Sequence, residues 1–201
     1  MTERLRELII AGAVAVAVAM PAFAGADEGL AAYDRGDYAT AYRELAPAAA
    51  RGQAFAEYMM ARLLLSGVGV SRDISEGLRW LRKAAEADVG PAEYQLGARH
   101  EWGVDVAQDY AEAARWYRLA ADHGIAEAQY RLGLLYTAGN GVRSDPLAAH
   151  MWFNLAASKL PPGEARNTVT TLRESIAAKL TSGQIAEAQK AAREWSPVMA
   201  R

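Results

Sequence analysis

A repeat of 36 residues is the feature that most limits how this chain can fold. Trp80, Trp116 and Trp152 are 36 residues apart, and each is followed four residues later by a pair of alanines. Other sets with the same spacing are Ala56, Ala92 and Ala128; Gly67, Gly103 and Gly139; and Asp73, Asp109 and Asp145. A fixed period of this size is typical of a stack of structural repeats, in which each unit packs against its neighbours.

Within one period the apolar residues follow helical spacing. The third period places Ala128, Leu132 and Leu135 on one helical face. A glycine-rich turn over residues 139–142 ends this helix, and Asp145 followed by proline is a favourable start for a second helix. Each period therefore predicts a helix, a glycine loop and another helix. The loops lack the Gly-Lys-Ser/Thr ending of a phosphate-binding loop, so we interpret them as turns with positive φ.

The third period also carries a recognisable motif, A-x-x-x-L-G-x-x-Y-x-x-G-x-G-V, followed by Asp and then by A-x-x-W-x-x-x-A-A. Its residues are Ala128, Leu132, Gly133, Tyr136, Gly139, Gly141, Val142, Asp145, Ala149, Trp152, Ala156 and Ala157. This motif resembles the Sel-one-like repeat (SLR) family, a relative of the tetratricopeptide repeat. The resemblance covers about residues 54–160. It implies an all-α protein, a right-handed α-solenoid of helix-loop-helix repeats with a 36-residue period.

The first two periods depart from the motif at a few positions. The first has Ala61 and Leu64 at the Gly and Tyr positions, and the second has His100 at the Tyr position. Asp105 replaces the second loop glycine of the second period, which leaves the conformation of that turn open. Trp102 lies beside these departures and has no counterpart in the other two periods.

The first residues of the chain read as a secretory signal peptide. An apolar run over residues 8–20 is too short to span a membrane as a helix, and small residues at 22 and 24 suit a cleavage site. We expect cleavage after Ala24, with Ala26 as the near alternative and an uncleaved N-terminal anchor as the other. The mature chain is then expected in the periplasm, or secreted, without membrane insertion. The chain has no cysteine, which excludes disulfides and a lipid anchor at that site.

The flanks of the three periods look like capping units, which terminal repeats require. Asp37 is in phase with Asp73, but the long glycine loop is missing before residue 54. After Leu160, two prolines break the helix, and two further helices are expected near 164–180 and 183–195. The predicted divisions are 1–24, a signal peptide; 25–53, an N-terminal tetratricopeptide-like half or capping unit; 54–160, three Sel-one-like repeats; and 161–201, a C-terminal helical cap.

The sequence indicates no enzyme, no cofactor and no metal site. The three histidines, at 100, 123 and 150, do not have metal-ligand spacing, and no serine lies in a nucleophile elbow. The net charge is −2 and the basic residues are scattered among acidic ones, which argues against nucleic acid as a partner. Some relatives have been linked to β-lactams, but those resemble a cysteine-rich branch.

A protein-binding surface is therefore the expected functional site. In the related tetratricopeptide geometry the first helix of each repeat lines the concave face, where a protein or an extended peptide would bind. Candidate partner-binding residues are Trp102, His100, Glu101, Tyr58, Tyr94, Tyr130, Arg62 and Leu134. Tyr58, Tyr94 and Tyr130 could instead pack between repeats, because a repeated residue favours a structural cause. Trp102 is not repeated, which favours contact with a partner.

Together these features predict an exported repeat scaffold that mediates protein–protein interaction in the cell envelope, as an adaptor or regulator. Two alternatives come from other functional classes. One is a hydrolase acting on β-lactam or cell-wall substrates, and the other is a glycan-binding module.

Overall fold

The computed structural model describes residues 26–198, which fold into ten α-helices and contain no β-strand. The helices are α1 (Asp27–Asp34), α2 (Tyr38–Ala50), α3 (Ala54–Ser66), α4 (Ile74–Glu86), α5 (Gly90–Trp102), α6 (Tyr110–Asp122), α7 (Ala126–Ala138), α8 (Pro146–Lys159), α9 (Glu164–Ala177) and α10 (Ser182–Glu194). The predicted signal peptide lies outside the described residues.

The helices belong to two compact units that divide within α5, between Gln95 and Leu96. In the first unit, α1 packs against α2, α2 against α3, and α3 against α4. In the second unit, α6, α7 and α8 pack in order, and α9 and α10 both pack on α8. This packing of consecutive helices, without strands among the described residues, makes the fold an all-α solenoid of repeats, as the sequence predicts.

The second helix of every repeat begins at an aspartate whose carboxylate caps the helix. Oδ1 of Asp73, Asp109 and Asp145 accepts hydrogen bonds from backbone N–H groups of the first helical turn, at 2.9 to 3.0 Å. Asp37 caps α2 in the same way, through the N–H of Thr40 at 3.1 Å. Such a cap satisfies donors that a helix N-terminus would otherwise leave without partners. The recurring aspartate is therefore a structural residue, which confirms its interpretation as a helix start.

A second bond from the same aspartate closes each glycine loop. The backbone N–H groups of Asp73, Asp109 and Asp145 donate to carbonyl oxygens of the preceding helix at 3.0, 2.9 and 3.0 Å. The three acceptors lie at the tyrosine position of the motif: Leu64, His100 and Tyr136. Because the bond uses only backbone atoms, different side chains are compatible with the same closure.

The turn of the second repeat, which the sequence leaves open, keeps the left-handed conformation of the other two. Gly69 and Gly141 have φ of 74° and 68°, and Asp105 at the same position has φ of 61°. Asp is one of the few residues other than glycine that visits this region with tolerable strain. The helix-to-helix turn is thus common to all three repeats.

Small residues lie where the two helices of a repeat approach most closely. A Cβ atom built on Gly97 would lie 2.6 Å from the Tyr117 ring, and one on Gly133 would lie 2.6 Å from the Phe153 ring. The first repeat has Ala61 and Leu81 at these two positions. Where the first helix of a repeat carries glycine, the second helix carries an aromatic ring, and where the first carries alanine, the second carries leucine. The two side chains together keep the core filled.

The three repeated tryptophans differ in burial. Trp116 and Trp152 are 4% and 1% exposed and belong to the core, whereas Trp80 is half-buried beneath the Lys83 ammonium, 4.4 Å from the ring centre. The period therefore marks a packing position, with one partly exposed member in the first repeat.

The C-terminal helices cover an apolar surface of α8. Val169 and Ile176 of α9 join a core cluster that includes Phe153 and Leu160. The turn between α9 and α10 ends in a capping box, in which the side chain of Thr181 accepts from the N–H of Gln184. Beyond α10 the chain returns to α6, where the N–H of Val198 donates to the carbonyl of Asp122 at 2.8 Å.

The loop glycine Gly141 should tolerate alanine much less well than its neighbour Gly139. Both have positive φ, but a Cβ on Gly141 would lie 2.1 Å from the Tyr110 carbonyl, whereas the nearest atom to a Cβ on Gly139 is 3.4 Å away. We expect Gly139→Ala to cost about 1–2 kcal/mol through backbone strain, and Gly141→Ala to cost about 1–3 kcal/mol more through the clash. Chemical denaturation of both variants measures the difference. Equal losses would contradict the close backbone contact.

Candidate functional site

The second repeat contains a buried ion pair that the other repeats lack. Arg99 occupies the position of Leu63 and Leu135, and Asp105 occupies that of the second loop glycine. Nη1 of Arg99 pairs with Oδ2 of Asp105, and the two side chains are 6% and 12% exposed. Two departures from the repeat pattern are thus partners of each other. This part of the irregularity is an internal contact of the turn and not a surface feature.

Trp102 and Arg131 form the centre of an aromatic cluster in the second unit. The half-buried Trp102 ends α5, and the guanidinium carbon of Arg131 on α7 lies 5.4 Å from the centre of its ring. The same carbon lies 5.6 Å from the centre of the Tyr130 ring. Arg131 therefore joins two candidate residues from different repeats. Sequence reasoning missed Arg131 because the equivalent positions carry other residue types.

Glu101 lies inside this group and holds it in place. Only 8% of Glu101 is exposed, and its Oε2 accepts a hydrogen bond of 2.6 Å from the Tyr117 hydroxyl. Its Oε1 lies 3.6 Å from Nη1 of Arg131. Glu101, which the sequence indicates as a partner-binding candidate, is therefore buried. Its carboxylate positions Arg131, which lies over Trp102. We call Glu101, Trp102, Tyr130 and Arg131 the Trp102 cluster.

The histidines lie at structural positions. His100 is half-buried, its carbonyl closes the second glycine loop, and His123 is the C-cap residue of α6. His150 is 3% exposed, and burial lowers its pKa, with the charge of Arg173 acting in the same direction. His100 thus lies next to the Trp102 cluster in sequence, and it accepts the loop-closing hydrogen bond through its backbone carbonyl.

Two of the three tyrosines that repeat every 36 residues are buried. Tyr58 and Tyr94 are 5% and 7% exposed. The Tyr58 hydroxyl accepts a hydrogen bond of 3.1 Å from Nε2 of Gln95, and burial raises the pKa of Tyr58. For these two residues the structure favours the packing interpretation.

The third repeat places its two candidate residues at the edge of the core. Tyr130 is half-buried, and its ring centre lies 6.3 Å from that of Phe153. Leu134 is also half-buried and packs against the C-terminal core cluster that contains Phe153. Both residues therefore contribute to packing, and Tyr130 in addition contacts Arg131.

Arg62 belongs to a separate aromatic cluster in the first unit. Its guanidinium carbon lies 5.0 Å from the centre of the Tyr33 ring and 5.8 Å from that of Tyr58. Arg62 and Tyr33 are half-buried, and Tyr33 also makes an edge contact with Tyr38 at 5.1 Å between ring centres. We call Tyr33, Tyr58 and Arg62 the Arg62 cluster.

A buried polar residue recurs near the start of each first helix. Glu57, Glu93 and Gln129 are spaced by 36 residues and are 6%, 0% and 0% exposed. Nε2 of Gln129 donates to the carbonyl of Ala121 at 3.1 Å. Burial raises the pKa of Glu57, and the charge of Lys83 opposes this shift only in part. These residues lie in the core between helices, so their repetition reflects a structural role.

Comparison with known proteins identifies the family. The model of the Sel1 repeat matches residues 54–89, 90–125 and 126–159, together more than half of the chain. This protein therefore belongs to the Sel1 repeat family, whose fold is a scaffold type that is typically not catalytic. No curated protein sequence matches the chain.

Two solved structures show what the chain is similar to. A Sel1 repeat protein from Oxalobacter formigenes is 35% identical over 72% of this chain, with a TM-score of 0.64. The protein c5321, a protective antigen of uropathogenic Escherichia coli strains with an SLR fold, is 39% identical over 59% of this chain, with a TM-score of 0.57. The chain spans only 43% and 25% of the lengths of these two proteins.

No helix within residues 26–198 is both long enough and apolar enough to cross a membrane.

The Arg99–Asp105 pair should behave as one unit in a double-mutant cycle. Arg99→Leu or Asp105→Gly alone removes one charge from the buried pair, and we expect each to cost about 2–4 kcal/mol of unfolding free energy. The double variant restores the residues of the other repeats and should recover most of that loss. Chemical denaturation of the four proteins measures the coupling. Additive losses would show that the pair is not coupled.

Glu57→Gln should stabilise the protein at neutral pH. Because burial raises the pKa of Glu57 above 4.5, the folded state binds its proton more tightly than the unfolded state does. The wild type therefore loses stability as pH rises from 4.5 through the folded-state pKa, and glutamine avoids this loss. We expect a gain of about 1 kcal/mol at pH 7, measured by chemical denaturation, which shrinks as pH falls towards 4.5. A gain that does not change with pH would contradict this origin.

Proposed function

We propose that this chain is an exported repeat scaffold that binds a protein partner in the cell envelope, where it acts as an adaptor or regulator. Sel1 repeats generally mediate protein interactions, and the chain carries three of them. The partner, or an extended peptide within it, would bind along the first helices of the repeats, as expected for a relative of the tetratricopeptide repeat. The Trp102 cluster is the observation that carries this proposal.

The Trp102 cluster has the chemistry of a protein-binding surface. Tryptophan, tyrosine and arginine are the residues most enriched among those that dominate binding energy at protein interfaces. Trp102 and Tyr130 are half-buried, so each still offers part of its ring to a partner. The buried carboxylate of Glu101 lies 3.6 Å from Arg131 and limits its movement. A surface that is already ordered loses less entropy when a partner binds.

The location in the envelope rests on the N-terminal sequence. Residues 1–24 lie outside the described part of the chain, and their apolar run followed by small residues at 22 and 24 supports export. The absence of cysteine is compatible with an oxidising compartment, since no thiol needs protection there. We propose the periplasm as the site of action.

Cross-linking in a periplasmic fraction tests the function and the location together. A photoreactive amino acid at position 107, an exposed residue of the loop that follows Trp102, leaves the Trp102 cluster intact, and we expect it to capture a defined protein. Trp102→Ala in the same protein should reduce this capture about tenfold or more, because truncating an aromatic residue that dominates an interface costs about 2 kcal/mol or more.

Trp80→Ala is the matched control, because Trp80 is also half-buried beneath a cation but lies in the first unit. We expect it to leave capture unchanged. No cross-linked protein in the periplasmic fraction would refute the proposed function there. Equal losses from the two alanine variants would refute the assignment of the partner to the Trp102 cluster.

A further inference from the structure

Arg62 differs from every comparable arginine in the described part of the chain. Six arginines within residues 26–198 are buried or half-buried, and five of them meet an oxygen atom of another residue. These pairs are Arg99 with Asp105, Arg118 with Tyr136, Arg131 with Glu101, Arg166 with Leu160, and Arg173 with Asn154. Arg62 instead lies over the rings of Tyr33 and Tyr58.

Among residues 26–198, this arrangement leaves the guanidinium of Arg62 oriented by two rings and not paired with a carboxylate. Two aromatic rings attract its positive charge, and such contacts favour the guanidinium face. The N–H donors of arginine lie in the plane of the group, where they can bind a carboxylate through two parallel hydrogen bonds. No nitrogen of Arg62 is among the fully buried polar atoms of the described residues, so these donors meet solvent and are open to an acceptor that arrives with a ligand.

We propose that the Arg62 cluster is a binding site for the carboxylate of an acidic side chain in a peptide segment of the partner. The inference rests on the proposed function, because it assigns a second contact point to the same kind of protein partner. The site belongs wholly to the first unit and is separate from the Trp102 cluster.

The chemistry of the cluster favours a carboxylate over a more highly charged anion. A single guanidinium matches one negative charge, whereas a phosphate group carries about 1.5 to 2 charges and usually meets several donors. Apolar ring surface lies beside the guanidinium, since Tyr33 and Phe55 are half-buried and the Phe55 ring lies 5.8 Å from that of Tyr58. An acidic side chain flanked by peptide provides both the charge and apolar contacts. A chain-terminal carboxylate is the other source of the same group.

Small blocked amino acids can test this site directly. The purified protein is titrated with N-acetyl-glutamate N-methylamide while the Nε–H signal of Arg62 is followed by NMR. The glutamine analogue lacks only the charge, and N-acetylalanine supplies an α-carboxylate instead. We expect a saturable shift with the glutamate probe and binding about tenfold weaker or more with the uncharged glutamine analogue. N-acetylalanine should bind more weakly than the glutamate probe, because only the glutamate probe has peptide groups on both sides of its acidic side chain.

Two variants assign the effect to Arg62. Arg62→Gln should abolish binding of the glutamate probe, and Arg62→Lys, which keeps the charge but loses the two-bond fork, should weaken it. Because both variants lack the Nε–H signal of Arg62, binding to them and to the wild type is compared through the backbone amide signals of Tyr33 and Tyr58. Arg118→Gln is the control, because Arg118 also lies over two rings but already donates to Tyr136. It should leave probe binding unchanged. Circular dichroism and thermal melting show whether each variant is folded.

Several results would overturn the proposal. They are no shift of the Arg62 signal, equal shifts with the glutamate and glutamine probes, undiminished binding to a folded Arg62→Gln variant, and preferential binding of N-acetylalanine. Its failure is distinct from failure of the proposed function. If a partner is cross-linked at the Trp102 cluster but the NMR signal of Arg62 does not respond to the glutamate probe, only the carboxylate site is refuted. If no partner is cross-linked, the proposed function in the envelope is refuted.

Discussion

The reversal of chain direction within each glycine loop is the constraint on which the repeats depend. A left-handed residue turns the backbone, and the following aspartate then closes the loop through its N–H and caps the next helix through its carboxylate. The loop-closing hydrogen bond and the helix cap act within a few residues. They depend little on which side chains lie on the packed faces of the helices. The faces can therefore vary between repeats while the helix pair keeps its geometry. This separation explains how Leu64, His100 and Tyr136 share one backbone position.

Most of the fold could be predicted from the sequence because its causes are local or periodic. Asp145 and Gly139 each act within a few residues, and their 36-residue spacing repeats the signal. The Arg99–Asp105 pair could not be predicted in this way. Each residue is a departure from the period, and a period by itself says nothing about whether two departures touch. Aligning the three repeats and asking which replacements bring opposite charges could have found it.

The candidate site was predictable only in part, for a related reason. The sequence indicates Trp102 and Tyr130 as separate partner-binding candidates. It does not indicate Arg131, which contacts both rings and has no equivalent in the other repeats. Tyr58 and Tyr94 are buried by the packing of neighbouring helices. Their 36-residue spacing would be equally compatible with tyrosines exposed along one surface. Whether a repeated aromatic residue faces solvent depends on the neighbouring side chains and not on its own spacing.

The ion pair of the second repeat also has an evolutionary consequence. Repeat families grow by duplicating or exchanging whole units, which works when the units are equivalent. Arg99 and Asp105 lie on opposite sides of a helix end, only six positions apart. Copying the second repeat as a whole carries both charges together, whereas a recombination point between them would combine one charge with the leucine or glycine of another unit. Such a hybrid would inherit a lone buried charge, so this loop is a poor place for exchange.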